Sequence, residues 1–403
     1  MLLDRKIYLI YSSLSCQKIN CQQELSVQQN NIQLFVPSFR VQECLDEIQV
    51  CFEKGWTGLG FKTVEFEEAW NKYTGHNHSH FLSSATAGLH LSIKIFKEVY
   101  GWEDGDEVIS TPITFVSTNH AIRYERLKPV FCDIDQYFCI DPNKLEEKIT
   151  NKTRAVIFVG LGGSTGQLEE VIAICKRRNI KLILDAAHMA GTRLNGKAPG
   201  NLADVTVYSF QAVKNLPTAD SGMICFKDPA LDVIVRQQAW LGIDKDTFSR
   251  SSEGGAYKWL YSVPYLGYKY HGNSIMAAIG LVQLRYLDQD NAYRRQIAYW
   301  YDKAFENNPR ISRIPMPVGC DSSRHLYQIL IDNRDEMMLA LNSQGIYPGV
   351  HYRDNTEYEM YADCGDCPHA AEVSRHVISL PMHLRLDYAD VQRVVEAVTR
   401  AVK

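Results

Sequence analysis

The chain has 403 residues, of which 45% are hydrophobic and 22% are charged, and its formal net charge at pH 7 is −4. This length allows a large domain and a smaller one, and the composition is that of a globular protein. The charge gives no basic footprint for nucleic acid, and no apolar run reaches the roughly 20 residues of a membrane span, so we expect neither partner.

The first 30 residues differ in composition from the rest of the chain. An apolar stretch at 7–10 is too short for a signal peptide, and the Gln/Asn-rich run that follows predicts a flexible extension over 1–30. The eleven cysteines are scattered, which favours reduced thiols and a cytoplasmic location. Cys364 and Cys367 form a C-x-x-C pair without a second pair at zinc spacing, so we predict an ordinary loop there and no metal site.

From residue 65 onward, helix and strand patterns alternate. Leu89, Ile93, Phe96 and Tyr100 fall on one helical face. Further helices are predicted at 117–124, 142–149 and 168–178, and strands at 107–113, 130–134, 155–161, 181–187, 205–210 and 222–226. The alternation predicts an α/β fold, in which a mostly parallel sheet lies between helices.

The pattern changes after Pro229. Long helices are predicted at 274–288 and 291–307, followed by a smaller α+β unit with a strand at 325–331, a helix at 336–343 and a closing helix after Asp387. We therefore predict a large domain over 31–290 and a small C-terminal domain over 291–403.

Two short motifs follow two of the predicted strands. Asp185 and His188 come after one buried run, and Ser209 and Lys214 come after another. Parallel strands present their carboxyl ends, and thus their ligands, at one edge of the sheet. Taken alone, Lys214 would be a surface charge and Asp185 a helix N-cap. Together they are the parts of a pyridoxal 5′-phosphate (PLP) enzyme, in which a lysine forms a Schiff base and an acid pairs with the pyridine nitrogen.

Small and hydroxyl residues at 83–89 precede a predicted helix. The N–H groups and dipole of a helix N-terminus bind anions, so Ala85 and Thr86 indicate a phosphate site, to which Ser209 could add a hydroxyl. An ordinary Ser/Thr cap is an equally good interpretation of this segment alone. Phe115, after another strand end, could stack on a flat ring, although an aromatic there is by default core.

These residues, with other segments, resemble the DegT/StrS-type PLP-dependent aminotransferases, which act on nucleotide-linked keto-sugars and related cyclitols. The resemblance runs from about residue 31 to the C-terminus. The matching segments are 55–60, 84–91, 105–109, 114–118, 185–188, 209–215, 267–284 and 380–383. It implies the PLP transferase fold of type I, with a large PLP-binding domain and a small α+β domain.

The resemblance implies a role for each matching residue. Lys214 would bind PLP covalently and move a proton, Asp185 would pair with the ring nitrogen, and His188 would lie near the phenolic oxygen. The ring would stack on Phe115, and Ala85, Thr86 and Ser209 would bind the phosphate. Lys269 matches a position that reaches a neighbouring subunit's phosphate, which implies a homodimer with shared active sites. Substrate contacts are expected from Thr57, His325, Tyr327, His351 and Tyr352.

We therefore predict an aminotransferase that moves an amino group, with L-glutamate the expected donor, to a nucleotide-linked keto-sugar. One subgroup of the family has histidine at the lysine position and dehydrates its substrate, and Lys214 argues against that reaction here. Two alternatives remain: a PLP-dependent sugar dehydratase or lyase, and a non-catalytic regulatory protein with this fold. The segment 160–164 departs from the family's His-Leu-Tyr-Gly, so the sugar-side wall is expected to differ.

Overall fold

The computed structural model describes residues 31–244 and 260–402, so the predicted extension 1–30 lies outside the described residues. The helices are α1 (Val41–Glu53), α2 (Phe61–Thr74), α3 (Ala85–Tyr100), α4 (Val116–Tyr124), α5 (Pro142–Lys148), α6 (Leu168–Arg178), α7 (Pro229–Ala239), α8 (Ser274–Phe305), α9 (Arg334–Asn342), α10 (Pro368–His376) and α11 (Tyr388–Ala401). Short 3-10 turns occur at Leu161–Gly163, Pro199–Leu202, Asn355–Glu357 and Glu359–Tyr361.

The strands are β1 (Ser79–Leu82), β2 (Glu107–Ser110), β3 (Lys128–Phe131), β4 (Thr153–Val159), β5 (Lys181–Asp185), β6 (Arg193–Leu194), β7 (Val205–Ser209), β8 (Gly222–Phe226), β9 (Ser312–Arg313), β10 (Cys320–Asp321), β11 (Tyr327–Leu330) and β12 (Val377–Leu380). Seven of them form the main sheet in the order β1-β8-β7-β5-β4-β2-β3. β7, β5, β4, β2 and β3 pair in parallel, and β8 runs antiparallel to β7 and β1. This confirms the predicted α/β class with a mostly parallel sheet.

Both faces of the main sheet are covered. Ile157 and Ile183 contribute to the apolar cluster on one face, and their chain neighbours Phe158 and Leu184 contribute to the cluster on the other. Successive side chains of a strand point to opposite faces, so a strand that is buried on both reads as a continuous apolar run. This is why the central strands could be recognised in the sequence.

Several central strands end earlier than predicted. β5 ends at Asp185 and β4 at Val159, two residues before the predicted ends, and β2 stops at Ser110. The chain turns at these points: the N–H of Gly160 donates to the carbonyl of Asp185 at 3.1 Å. The apolar residues that follow the strand ends are buried in the loops around the site. The predicted strands were too long because the prediction followed the apolar runs to their ends.

The two predicted helices at 274–288 and 291–307 are one helix, α8, of 32 residues, so the predicted break was wrong. Asp290 and Asn291 stand next to the predicted break, and both side chains have tertiary partners, Arg40 for Asp290 and Asn215 for Asn291. The second half of α8 packs against β11, β12 and α11 in a separate apolar cluster. α8 crosses the proposed boundary at 290/291, and that division of the chain stays a prediction.

In the described part of the chain, no helix combines the length and the apolar character that crossing a bilayer requires.

Candidate active site

A cavity of about 420 Å³ opens at the carboxyl ends of β4, β5 and β7, next to the N-terminus of α3. This is where open α/β sheets bind their ligands. Nine of the predicted site residues line it: Ala85, Thr86, Phe115, Asp185, His188, Ser209, Lys214, His325 and His351. Tyr352 lines it as well. The fold thus brings together residues that are up to 267 positions apart between Ala85 and Tyr352.

Asp185, the last residue of β5, is buried at the cavity and held by two donors. Its Oδ2 accepts from the hydroxyl of Thr118 at 2.7 Å, and its Oδ1 accepts from the backbone N–H of Ala187 at 3.1 Å. Burial raises the pKa of this carboxyl, while the bond from Thr118 and the nearby Lys214 oppose that shift. A buried carboxylate is stabilised most by a cationic or protonated group bound next to it in the cavity.

Lys214 lies in the turn after β7, and hydrogen bonds of its own backbone and of the next residue hold this turn in place. Its N–H donates to the carbonyl of Gln211 at 2.8 Å, and the next residue, Asn215, donates through its amide to Asn291 and to the carbonyl of Ser323, both at 2.7 Å. Burial lowers the pKa of Lys214 to about 8, and Asp185 partly offsets the shift. An amine with such a pKa has a sizeable neutral, nucleophilic fraction near neutral pH.

His188 is held in one tautomer. Its Nδ1 accepts from the backbone N–H of Gly162 at 3.2 Å, and burial keeps the pKa of the ring well below its usual value. The neutral ring therefore carries its proton on Nε2, which lies 3.3 Å from the hydroxyl of Tyr352. His188 thus presents an N–H donor at the cavity.

The start of α3 presents backbone N–H groups and hydroxyls to the cavity. The Ser84 side chain caps the helix by accepting from Ala87 N–H at 3.1 Å, and Ala85 and Thr86 line the cavity in the first turn, whose N–H groups have no partner within the helix. Ser209 and Ser221 add hydroxyls. A Cβ on Gly222 would lie 2.6 Å from the Ala85 nitrogen, so glycine is needed for β8 to approach this turn.

Three predicted site residues do not line the cavity within one chain. The carbonyl of Thr57 accepts from Ser274 N–H, and Tyr327 is buried against Tyr301, with its hydroxyl donating to Asp302 at 2.9 Å. The ammonium of Lys269 lies 3.7 Å from the centre of the Trp240 ring. The packing of Tyr327 accounts for its burial without substrate. The predicted roles of these three residues stay predictions.

Sequence reasoning missed several residues that line the cavity, among them Phe35, Thr118 and Ser221. Phe35 stacks on His325, with ring centres 5.3 Å apart and an angle of 9°, Thr118 holds Asp185, and the hydroxyl of Ser221 lies 2.7 Å from that of Thr218. Phe35 stands in a segment without periodic pattern, so no signal marked it. Thr118 lies one helical turn after Phe115. A hydroxyl at that distance after a strand end could have indicated a residue that reaches the cavity.

The DegT/DnrJ/EryC1/StrS aminotransferase family model matches residues 40–399. The chain belongs to this family. It is 33% identical over 377 residues to the spore coat polysaccharide biosynthesis protein SpsC of Bacillus subtilis, covering 90% of this chain and 95% of the relative. It is 32% identical over 380 residues to the dTDP-4-dehydro-2,3,6-trideoxy-D-glucose 4-aminotransferase of Saccharopolyspora spinosa, covering 92% and 97%.

Solved structures agree with this assignment. The aminotransferase TlmJ from Streptoalloteichus hindustanus matches with a TM-score of 0.85 at 31% identity, covering 92% of this chain and 98% of that one. The PLP form of Spr1654 from Streptococcus pneumoniae matches with a TM-score of 0.83 at 27% identity, covering 93% of this chain and 100% of that one. The family is one of PLP-dependent aminotransferases, and this chain is an aminotransferase with that fold.

The close approach at Gly222 gives a test of the predicted phosphate site. Gly222→Ala should displace the start of α3, lowering stability by about 1–3 kcal/mol as overpacked positions do, and should weaken phosphate binding. Urea unfolding and titration with PLP would measure the two effects. Gly58→Ala is the matched control, because a Cβ there meets no atom within 4 Å. Equal behaviour of the two variants would contradict the role of Gly222.

Proposed function

We propose that this protein is a PLP-dependent aminotransferase that transfers an amino group from an amino acid, with L-glutamate the expected donor, to a nucleotide-linked keto-sugar. The product is an amino-sugar nucleotide for glycan or natural-product biosynthesis. The observation that carries the proposal is the pairing of Lys214, whose pKa is lowered to about 8, with the buried Asp185 in one cavity at the strand ends. The names of SpsC and the S. spinosa enzyme support the substrate class.

The cavity suits PLP in shape and polarity. Its volume is within the range of small-ligand sites, and the Phe115 side chain, 59% exposed, offers an uncovered aromatic face at its edge. The buried carboxylate of Asp185 suits a protonated pyridine nitrogen, and the first turn of α3 with Ser209 suits the phosphate. When bound, PLP supplies an electron sink for the electron pair released at the carbon that bears the amine.

The chain's own residues would supply positioning and proton transfer. Lys214 would hold the cofactor covalently and, once released, carry a proton with its Nζ. Asp185 would accept a hydrogen bond from the ring nitrogen, and its two fixed donors would keep the carboxylate in place. His188 would donate its Nε2–H to the phenolic oxygen, in the tautomer that the N–H of Gly162 imposes.

The side of the cavity that would face the sugar consists of uncharged side chains and of a glycine, which has no side chain. Burial lowers the pKa of His351 to about 4 and that of His325 well below its usual value, so both rings are uncharged donors or acceptors suited to hydroxyl groups. Gly160 lines the cavity without a side chain, and a Cβ there would lie 2.0 Å from the sulfur of Met189. His325, His351 and Tyr352 are therefore the proposed sugar or donor contacts.

Positive charge is scarce in the cavity, which supports a homodimer. Among the described lining residues Lys214 is the one lysine or arginine, and burial lowers the pKa of the three histidines, whereas a bound cofactor phosphate and a nucleotide diphosphate carry several negative charges. Lys269 of a second copy is the proposed additional cation. Val41, Leu45 and Phe52 on α1 are more than half exposed and could be covered in such a dimer. The cytoplasmic location stays a prediction.

The cofactor and the donor half-reaction can be tested by absorption spectroscopy. The purified protein with PLP should show the visible band of a lysine-bound cofactor, which L-glutamate should bleach with formation of 2-oxoglutarate. Lys214→Ala should lack the band, whereas Lys152→Ala, at an exposed position, should behave as wild type. A band that ignores glutamate would contradict the donor, and its absence would contradict the cofactor.

The depressed pKa of Lys214 predicts the pH dependence of PLP capture by the apo-protein. Only the neutral amine attacks the aldehyde, and a pKa of about 8 gives a neutral fraction of about 9% at pH 7, against roughly 0.03% for an ordinary lysine. The capture rate, measured by stopped-flow absorbance, should rise about tenfold from pH 6 to 7 and level off above pH 8. A rate that keeps rising tenfold per pH step to pH 10 would contradict the shift.

Shared active sites predict that two inactive variants complement each other. Lys214→Ala and Lys269→Ala should each be inactive alone. After mixing and subunit exchange, a heterodimer has one site with both lysines, so about a quarter of wild-type activity should return. Amino-sugar formation from the keto-sugar nucleotide would be measured, with unmixed variants as controls. Failure to recover activity, when mass spectrometry shows heterodimers, would contradict the role of Lys269.

A further inference from the structure

Two segments that line the active site from different parts of the chain meet just behind it. The chain that carries Tyr352 continues into the 3-10 turn Asn355–Glu357, whose first residue bonds a side chain of α4. α4 begins directly after Phe115 and carries Thr118, and both residues line the cavity, as Tyr352 does. Asn355 is 1% exposed, so it is enclosed where these two segments meet.

Asn355 uses its backbone and its side chain to hold the chain at the start of α4. Its N–H donates to the carbonyl of Pro112, and its side-chain amide donates to the carbonyl of Thr114, both at 3.0 Å. Its amide oxygen accepts from the side chain of Asn119, also at 3.0 Å. These three bonds lie on both sides of Phe115, so they restrain the backbone that carries its ring.

An asparagine suits this position because one uncharged side chain supplies both a donor and an acceptor. A side chain without polar atoms would remove the partner of the Thr114 carbonyl and one partner of the Asn119 amide, and lost partners in a buried place are costly. The charged and titratable side chains of the two segments have other partners: Asp354 accepts from Thr356, Arg353 pairs with Glu357, His120 bonds Tyr361, and Arg123 donates to the carbonyl of Met360. The pair of Asn119 and Asn355 is therefore an uncharged link.

We propose that Asn355 is a positioning residue, which keeps Phe115 and Thr118 in place for the bound cofactor and links them to Tyr352 on the other side of the cavity. This inference rests on the proposed function, in which Phe115 stacks on the cofactor ring and Thr118 holds the carboxylate that faces the ring nitrogen. Asn355 lies behind the described lining residues rather than among them, so it acts through the segment that it holds.

The affinity of the apo-protein for pyridoxamine phosphate tests the proposal. This probe cannot bond covalently to Lys214, so its affinity reports on the stacking, the ring nitrogen and the phosphate, and fluorescence quenching would measure it. Asn355→Leu should weaken binding by about tenfold, a change of the size that one net hydrogen bond contributes. Asn333→Ala is the control, because it removes an amide that donates to the carbonyl of Ala401, at the end of α11. Equal affinities of wild type and Asn355→Leu would overturn the proposal.

Asn355→Asp separates positioning from a packing defect. A protonated aspartic acid has the shape of asparagine, with a donor for the Thr114 carbonyl and an acceptor for Asn119, whereas a carboxylate would repel that carbonyl. Burial raises the pKa of such a carboxyl. The affinity of Asn355→Asp relative to wild type should therefore recover at about pH 5.5 and fall at about pH 8, and Asn355→Leu should show the same deficit at both. A deficit of Asn355→Asp that does not change with pH would contradict the positioning role.

Hydrogen exchange of the apo-protein tests the same link without a cofactor. The amides of 113–119 should exchange faster in Asn355→Leu than in wild type and Asn333→Ala, and the amides of 168–178 in α6 are the internal reference. If wild type itself does not bind pyridoxamine phosphate, the cofactor assignment fails, and the exchange of 113–119 still decides whether Asn355 holds this segment. Exchange at the wild-type rate in Asn355→Leu would overturn the proposal.

Discussion

The site depends on one constraint, the burial of a carboxylate at the carboxyl end of β5. Asp185 could not remain there without donors, because an unpaired buried charge is costly. Thr118 and the N–H of Ala187 supply two hydrogen bonds, and Lys214 supplies the opposite charge nearby. The same burial raises the pKa of the Asp185 carboxyl and lowers the pKa of the Lys214 amine. Each group would therefore be stabilised by a ligand of suitable charge in the cavity.

The rest of the cavity follows from the same low polarity. His188, His325 and His351 are all kept neutral by burial, and the neighbours of His188 and His325 fix which ring nitrogen carries the proton. His188 is a donor through Nε2, because Nδ1 accepts from Gly162. His325 pairs its Nδ1 with the amide oxygen of Asn215, which leaves its Nε2 as an acceptor. These uncharged rings are donors and acceptors of the kind that hydroxyl groups can bind.

Much of this could be predicted from the sequence, because strands buried on both faces leave continuous apolar runs and parallel strands gather their ends at one edge. Asp185, Ser209 and Lys214 follow directly from that rule. Phe35 could not be predicted, because its position depends on the packing of a segment without periodicity against His325 and His351. Tyr327 was predicted as a substrate contact, and its packing against Tyr301 accounts for its burial without one, so that role stays a prediction. The continuity of α8 was also missed, since tertiary partners decide whether polar residues break a helix.

α8 connects the turn after β7 with the segments around β11 and β12, which lie far from that turn in the sequence. Asn291, near its middle, bonds Asn215, which follows Lys214 and also bonds Ser323 and His325. Arg294, one turn of helix further, reaches the carbonyl of Met382 in the segment after β12. The turn that carries Lys214 is therefore held from the helix and from the C-terminal half at once. The turn with Lys214 and the ring of His325 are thus held by one hydrogen-bond network that runs through Asn215 to α8, in addition to the sheet.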